Sequence, residues 1–348
     1  MNFDKSIDSS NMFESIYKFS SQMKQAKLIG ERIILKNNYE DVQNIVLCGM
    51  GGSAIGGDLS KSLVKSSLNV PMFVNRNYSL PNWVNSNSLV IASSYSGNTE
   101  ESLAAYHEAI SKGAMVIGIT TGGKLASLLD DHNNDKVLIP AGLQPRAAVA
   151  FSFIPLLYLL EKLKATNDKV LSELDVTIEK IQSIKDVYAL DDEKNPTYKL
   201  AKDIYKTIPV IYGENESTAT IALRWKGQFC ENSKMLAYHN ELPEMNHNEI
   251  VGWQENPDLL KQISILWISD KSYNSRNSLR LDSSKDVIAN IPAFQRKVEL
   301  DGDNFTERFI QLLHYGDWVS YWCALLHNID PSPVVKIDTL KKILSEKS

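Results

Sequence analysis

Five short apolar, β-branched runs, each followed by helix-forming sequence, occupy the first half of the chain. They are Asn44-Ile-Val-Leu-Cys48, Val70-Pro-Met-Phe-Val74, Ser88-Leu-Val-Ile-Ala92, Met115-Val-Ile-Gly-Ile-Thr120 and Lys136-Val-Leu-Ile139. A strand that is apolar without alternation has no solvent face, so both its sides must be covered. A parallel sheet with helices on both faces does this. Such sheets bind ligands at the carboxyl ends of their strands, beside the point where strand order reverses.

A charged amphipathic stretch, roughly 168–188, leads into Ala189-Leu-Asp-Asp-Glu-Lys-Asn-Pro196, which is polar and ends in a helix breaker. The order of elements then restarts. Ile208-Pro-Val-Ile-Tyr212 reads as a strand, Gly213-Glu-Asn-Glu-Ser217 as a loop and 218–234 as a helix. Further strands are expected near Ile263-Ser-Ile-Leu-Trp-Ile268 and Arg296-Lys-Val-Glu-Leu300, and two helices, about 304–327 and 335–346, close the chain. A length of 348 residues fits two domains at roughly 100–200 residues each. The expected architecture is α/β: two doubly wound domains, 1–188 and 189–348, each a mostly parallel sheet flanked by helices.

Composition removes several classes of partner. The net charge is −5 and the basic residues are scattered, which argues against nucleic acid and anionic membrane. Cys48, Cys230 and Cys323 are an odd number without C-x-x-C spacing, so neither a disulfide framework nor a thiolate zinc site is expected. The first ten residues lack the apolar core of an export signal. Phe151-Ser-Phe-Ile-Pro-Leu-Leu-Tyr-Leu-Leu160 stops at Glu161-Lys162, short of the roughly 20 apolar residues that span a bilayer. It reads as a buried helix in a cytoplasmic protein.

Two loops could carry chemistry. Gly49-Met-Gly-Gly-Ser-Ala-Ile-Gly-Gly57 follows the first strand and opens a helix. Its letters fit a dinucleotide fingerprint, yet the acid expected about twenty residues later, at the end of the next strand, is replaced by Asn75-Arg76. Arg76 could take the 2′-phosphate of NADP. A glycine-rich loop also binds one sugar phosphate through its amides. The second loop, Ser93-Ser-Tyr-Ser-Gly-Asn-Thr-Glu-Glu101, sits where the third strand meets a helix. A plain N-cap needs one such side chain. The hydroxyls of Ser94, Ser96 and Thr99, with the amides of a helix start, can instead surround one tetrahedral anion without Lys or Arg.

These two loops, together with Gln144-Pro-Arg-Ala-Ala148, Glu231-Asn-Ser-Lys234 and Met245-Asn-His-Asn248, resemble the bifunctional phosphoglucose/phosphomannose isomerases of the sugar isomerase (SIS) superfamily. The similarity runs in order from about residue 45 to Lys336. It implies two SIS-type domains, a hexose phosphate substrate, no cofactor and no metal. The implied reaction interconverts glucose 6-phosphate, and mannose 6-phosphate as well, with fructose 6-phosphate through an enediol. Such chemistry needs a carboxylate base, a cation for the oxyanion and an acid/base at the ring oxygen. By the resemblance, Gly52, Ser53, Ser94, Ser96 and Thr99 hold phosphate and substrate. Glu231 moves the proton, Arg146 stabilises the enediolate, and His247 and Lys336 assist ring opening. In the family this histidine comes from a neighbouring subunit, which implies a homodimer.

Spacing alone offers other readings. Glu231 and Lys234, three apart, could form a surface ion pair, and Arg146 could be a surface arginine. His239, Glu241, Glu244, His247 and Glu249 are metal-ligand types within eleven residues, but no H-E-x-x-H helix is present. A non-catalytic SIS sensor of sugar phosphates would need the phosphate loop without Glu231, Arg146 and His247 together. An NADP-dependent oxidoreductase is the other rival. His107, His132, His314 and His327 read as structural.

Overall fold

The computed structural model describes residues 5–346. Helices α1 (Met12–Tyr17) and α2 (Phe19–Glu31) precede β1 (Asn44–Cys48), α3 (Gly51–Val64), β2 (Met72–Asn75), β3 (Ser88–Ser94), α4 (Glu100–Ser111), β4 (Met115–Thr120), α5 (Gly123–Asp131) and β5 (Asp135–Leu138). A 3-10 turn, Pro145–Ala148, enters α6 (Val149–Lys162), followed by α7 (Lys169–Ser172) and α8 (Leu174–Tyr188). The chain continues through α9 (Pro196–Ile204), β6 (Ile208–Glu214), α10 (Ala219–Glu231), β7 (Tyr238–Leu242), α11 (Pro257–Leu260), β8 (Ile263–Ile268), α12 (Ser275–Ile288), β9 (Phe294–Val298), α13 (Phe305–Leu326) and α14 (Val335–Ser345).

The strands form two sheets, in the orders β2-β1-β3-β4-β5 and β7-β6-β8-β9, and every pairing is parallel. Every residue of β3 is buried, as a strand covered on both faces requires. Strand order reverses between β1 and β3, so the two loops singled out by sequence leave adjacent strand ends. Pro71 lacks an N–H, and β2 begins just after it, where the Pro71 carbonyl accepts from Ile45 N–H at 2.9 Å. Pro196, read as a breaker, is the first residue of α9. Asn195 caps that helix by accepting from the Thr197 and Tyr198 amides, the end of a helix where proline costs nothing.

One strand was not expected from sequence. β7, Tyr238-His-Asn-Glu-Leu242, is an edge strand with its first two residues exposed, so burial leaves no apolar pattern to read. The helix expected at 218–234 ends at Glu231 instead. Beyond it Asn232 donates to the Ser320 hydroxyl at 3.0 Å, and Ser233 donates to the Ser320 carbonyl at 2.6 Å. Both bonds turn the chain onto α13.

Residues 149–160 of α6 are all buried, packed against α2 and α3. Residues 306–325 of α13 are likewise all buried, against α8, α9 and α10, although they include the polar Glu307, Arg308, Gln311, His314 and Asp317. Both helices belong to one hydrophobic cluster that runs from β1 and β3 through α6 to α10, α13 and β8. His314 lies inside it. It accepts from Trp318 Nε1–H at 3.0 Å, and burial pushes its imidazole down to about 3, which keeps it neutral. Among the described residues no helix is long and apolar enough to cross a membrane. No residue of α14 is buried.

Candidate active site

The turn from β1 into α3 brings a backbone, not a side chain, to the strand ends. Gly51 is left-handed, φ +49°, and a Cβ on Gly52 would sit 2.7 Å from the Pro145 carbonyl oxygen. Glycine there lets the Pro145–Ala148 turn dock on the start of α3, which places Arg146 beside it. Arg76 is ion-paired with Asp58 of α3. The close approach and the free cation that a dinucleotide would use are thus both engaged within the chain.

The serine loop is fixed from below. Gly97 is left-handed, φ +68°, and a Cβ there would strike the Gly122 carbonyl; Gly97 also accepts from Leu125 N–H at 2.9 Å. Ser94 Oγ donates to Thr99 Oγ1 at 2.9 Å, and Ser96 Oγ accepts from Asn98 N–H at 3.2 Å. Thr99 is the N-cap residue of α4, yet its side chain makes no cap bond. The first amides of α4 have no partner within the helix, and that end carries partial positive charge. Ser53 Oγ accepts from Tyr95 N–H at 3.2 Å, which joins the glycine and serine loops.

A cleft of about 140 Å³ lies between α3 and α10, lined by Gly51, Gly52, Arg146, Arg224, Gln228 and Glu231 among others. Arg146 is only 3% exposed. It donates to Asn232 Oδ1 at 2.6 Å and to the carbonyls of Pro331 and Ser332, both at 2.8 Å. Its Nη1 stands 3.5 Å from Glu231 Oε2. Burial pushes the guanidinium down from its ordinary value while the Glu231 charge pulls it back; an arginine so placed stays cationic. It is therefore a fixed positive charge at the wall of a cleft, not a surface arginine.

Arg224 and Gln228 share the cleft face of α10 with Glu231, at i−7 and i−3. Arg224 donates twice to Asp317, at 3.2 and 3.0 Å, and once to the Arg146 carbonyl at 2.6 Å. Gln228 donates to the same carboxylate at 2.8 Å. Burial pushes Asp317 up, and the charge and hydrogen bonds of Arg224 and Gln228 draw it down. Asp317, Asn232 and the 331–332 carbonyls are supports that sequence reading did not find. The signal for Asp317 was present: a carboxylate inside a long apolar helix needs a buried partner.

Lys234 does not pair with the Glu231 carboxylate. Its Nζ donates to the main-chain oxygens of Glu231 at 2.7 Å and Pro331 at 3.0 Å, and the carboxylate faces Arg146 instead. His247 is exposed at the end of a 3-10 turn, Glu244–His247, and Lys336 lies on the exposed α14. Neither lines this cleft within one chain. Around His247 the acids are engaged: Glu241 accepts from Asn215 at 2.6 Å, Glu244 from Asn248 at 2.8 Å, and Glu249 from Tyr212 and Asn240. Among the described residues no three His, Cys, Asp or Glu side chains are arranged to hold a metal.

Comparison with known proteins finds a family match in each half of the chain. Residues 39–153 match the profile of the SIS domain, and residues 193–344 match the bacterial phospho-glucose isomerase C-terminal SIS domain. A bifunctional phosphoglucose/phosphomannose isomerase of Caldicellulosiruptor bescii is 43% identical over 96% of this chain and 99% of the relative. One from Aquifex aeolicus is 37% identical over 87% and 91%. The fold alone is shared with the C-terminal domain of glucosamine-fructose-6-phosphate aminotransferase from Francisella tularensis, with a TM-score of 0.71 at 17% identity, covering 92% of this chain and 98% of that one. Identity at this level, over nearly the whole length of both chains, means that the chain belongs to the bifunctional phosphoglucose/phosphomannose isomerase family.

Proposed function

We propose that the protein interconverts glucose 6-phosphate and mannose 6-phosphate with fructose 6-phosphate, without metal or nucleotide, through an enediolate. The observation that carries this reading is the buried Arg146 guanidinium 3.5 Å from the Glu231 carboxylate at the wall of one cleft. Glu231 takes the C2 proton of the open-chain aldose and returns it to C1. Arg146 faces the oxygen on which negative charge develops, where one positioned donor is worth about 3–4 kcal/mol. C2 is planar in the enediolate, so the two aldoses, which differ only there, converge on one intermediate. Gly52, Ser53, Ser94, Ser96 and Thr99 hold the phosphate end, in the part we assign as residues 1–188. Residues 189–348 supply Glu231 and His247. The three cysteines are free thiols, which suits a reducing cytoplasm.

Incubation with fructose 6-phosphate in EDTA, with no nucleotide, is expected to yield both glucose 6-phosphate and mannose 6-phosphate, resolved by chromatography. Absence of glucose 6-phosphate would defeat the proposal, and absence of mannose 6-phosphate alone would remove the second activity.

His247 and Lys336 are assigned to ring opening. Because His247 is exposed and outside its own chain's cleft, we assign it to the site of a second copy in a homodimer. Co-expression of Glu231→Gln and His247→Ala chains should then restore part of the activity that each variant lacks alone. No restoration in the isolated mixed dimer would refute the shared site.

A further inference from the structure

Three residues past Glu231, Lys234 holds a left-handed backbone, φ +55°. There a Cβ crowds the neighbouring carbonyl, and side chains other than Asn and Asp seldom adopt it. Such a conformation persists only where surrounding contacts over-determine it. The contacts are three main-chain oxygens: Nζ donates to Glu231 at 2.7 Å, to Pro331 at 3.0 Å and more weakly to Asn232 at 3.4 Å. The Pro331 oxygen also accepts from Arg146 Nη2 at 2.8 Å. One carbonyl therefore ties together the end of the Glu231 helix, the Arg146 turn and the segment that leads into α14.

We infer that Lys234 is a positioning residue of this site, an inference that rests on the isomerase reading above. Its ammonium clamps the carboxyl end of α10 to Pro331 and so holds the Glu231 carboxylate opposite the Arg146 guanidinium. Without the clamp, the base and the oxyanion charge drift relative to each other. A displacement of about 1 Å at a reacting centre is enough to cost about 100-fold in rate.

The charged groups facing the ammonium are Glu231 on α10, Arg146 on the turn before α6 and Asp330 on the segment before α14. The residue as a whole is exposed, while its ammonium bonds the main-chain oxygens of Glu231 and Pro331. Loss of water at the head, then the like charge of Arg146, pushes its pKa down to about 8 against the pull of Asp330 and Glu231. As pH rises through that value the ammonium becomes a neutral amine and its charge-assisted bonds weaken. Turnover should therefore fall on the basic side near pH 8 while KM moves little.

The test measures kcat and KM for fructose 6-phosphate from about pH 6 to 10, which brackets the lowered and ordinary lysine values. It uses the wild-type protein, Lys234→Arg and Lys234→Asn, with amide hydrogen exchange of residues 329–336 followed in parallel. Asn accepts the left-handed backbone, so that variant folds, but it is too short to reach Pro331. It should lose about 10- to 100-fold in kcat at neutral pH with KM near wild type, and its 329–336 amides should exchange faster. Lys234→Arg should keep most of the turnover and move the basic limb upward. Wild-type kcat in the Asn variant, or unchanged exchange, overturns the inference. Faster exchange in that variant, with no isomerase activity in the wild-type protein, would leave the clamp standing and overturn the reaction instead.

Discussion

Glu231→Gln should keep the fold and lose about 10²- to 10⁴-fold in kcat, the usual worth of a positioned general base, with KM little changed. Gln fills the same volume, and the site is half open: the Glu231 side chain is 35% exposed. Its carboxylate approaches Arg146 only at 3.5 Å, while three shorter bonds, to Asn232, Pro331 and Ser332, hold that arginine in place. Removing the charge therefore leaves the scaffold and takes away only the carboxylate that we propose as the proton acceptor. Two measurements check this: steady-state turnover of fructose 6-phosphate, and incorporation of deuterium from heavy water at C2 of the product. Both should collapse together. Full turnover by the Gln variant would dismiss Glu231 as the base.

The second large effect is on stability. Asp317→Ala should cost about 3–5 kcal/mol, because it strands the Arg224 guanidinium in the interior without a counter-charge. Arg224 is 4% exposed, and Asp317 accepts both of its donors and the Gln228 amide. Activity should fall as well, since Arg224 also supports the Arg146 carbonyl. Denaturant unfolding of the wild type, Asp317→Ala and the double variant Arg224→Met/Asp317→Leu separates the terms. Replacing both partners by apolar groups of similar size is expected to recover most of the loss in stability without recovering turnover. A single Ala variant within about 1 kcal/mol of wild type, the range of a surface pair, would show that the ion pair is not structurally important.

The central strands and the long apolar helices were legible in the sequence because burial on every side leaves an uninterrupted apolar run, as in β3 and α6. β7 was not, since an edge strand reading Tyr-His-Asn-Glu-Leu carries no such run. The serine and glycine loops could be located because only particular residue types make those turns. What Lys234 touches was hidden: three-residue spacing after Glu231 suggests a carboxylate pair, and a left-handed backbone redirects the ammonium to carbonyls. The Arg146–Pro331 bond joins residues 185 apart, and no local pattern encodes it.

The hydrophobic cluster that runs unbroken from the first sheet through α6 and α13 to the second bears on how the cleft works. Relative motion of two domains is the usual expectation unless a large apolar interface joins them. Here the helices that wall the cleft, α3 and α10, touch each other and rest on the same packed layer. Such packing opposes hinge motion across the cleft. A cleft held by packing favours ligands that share one shape, and an enediolate flat at C2 is the shape on which both aldoses agree.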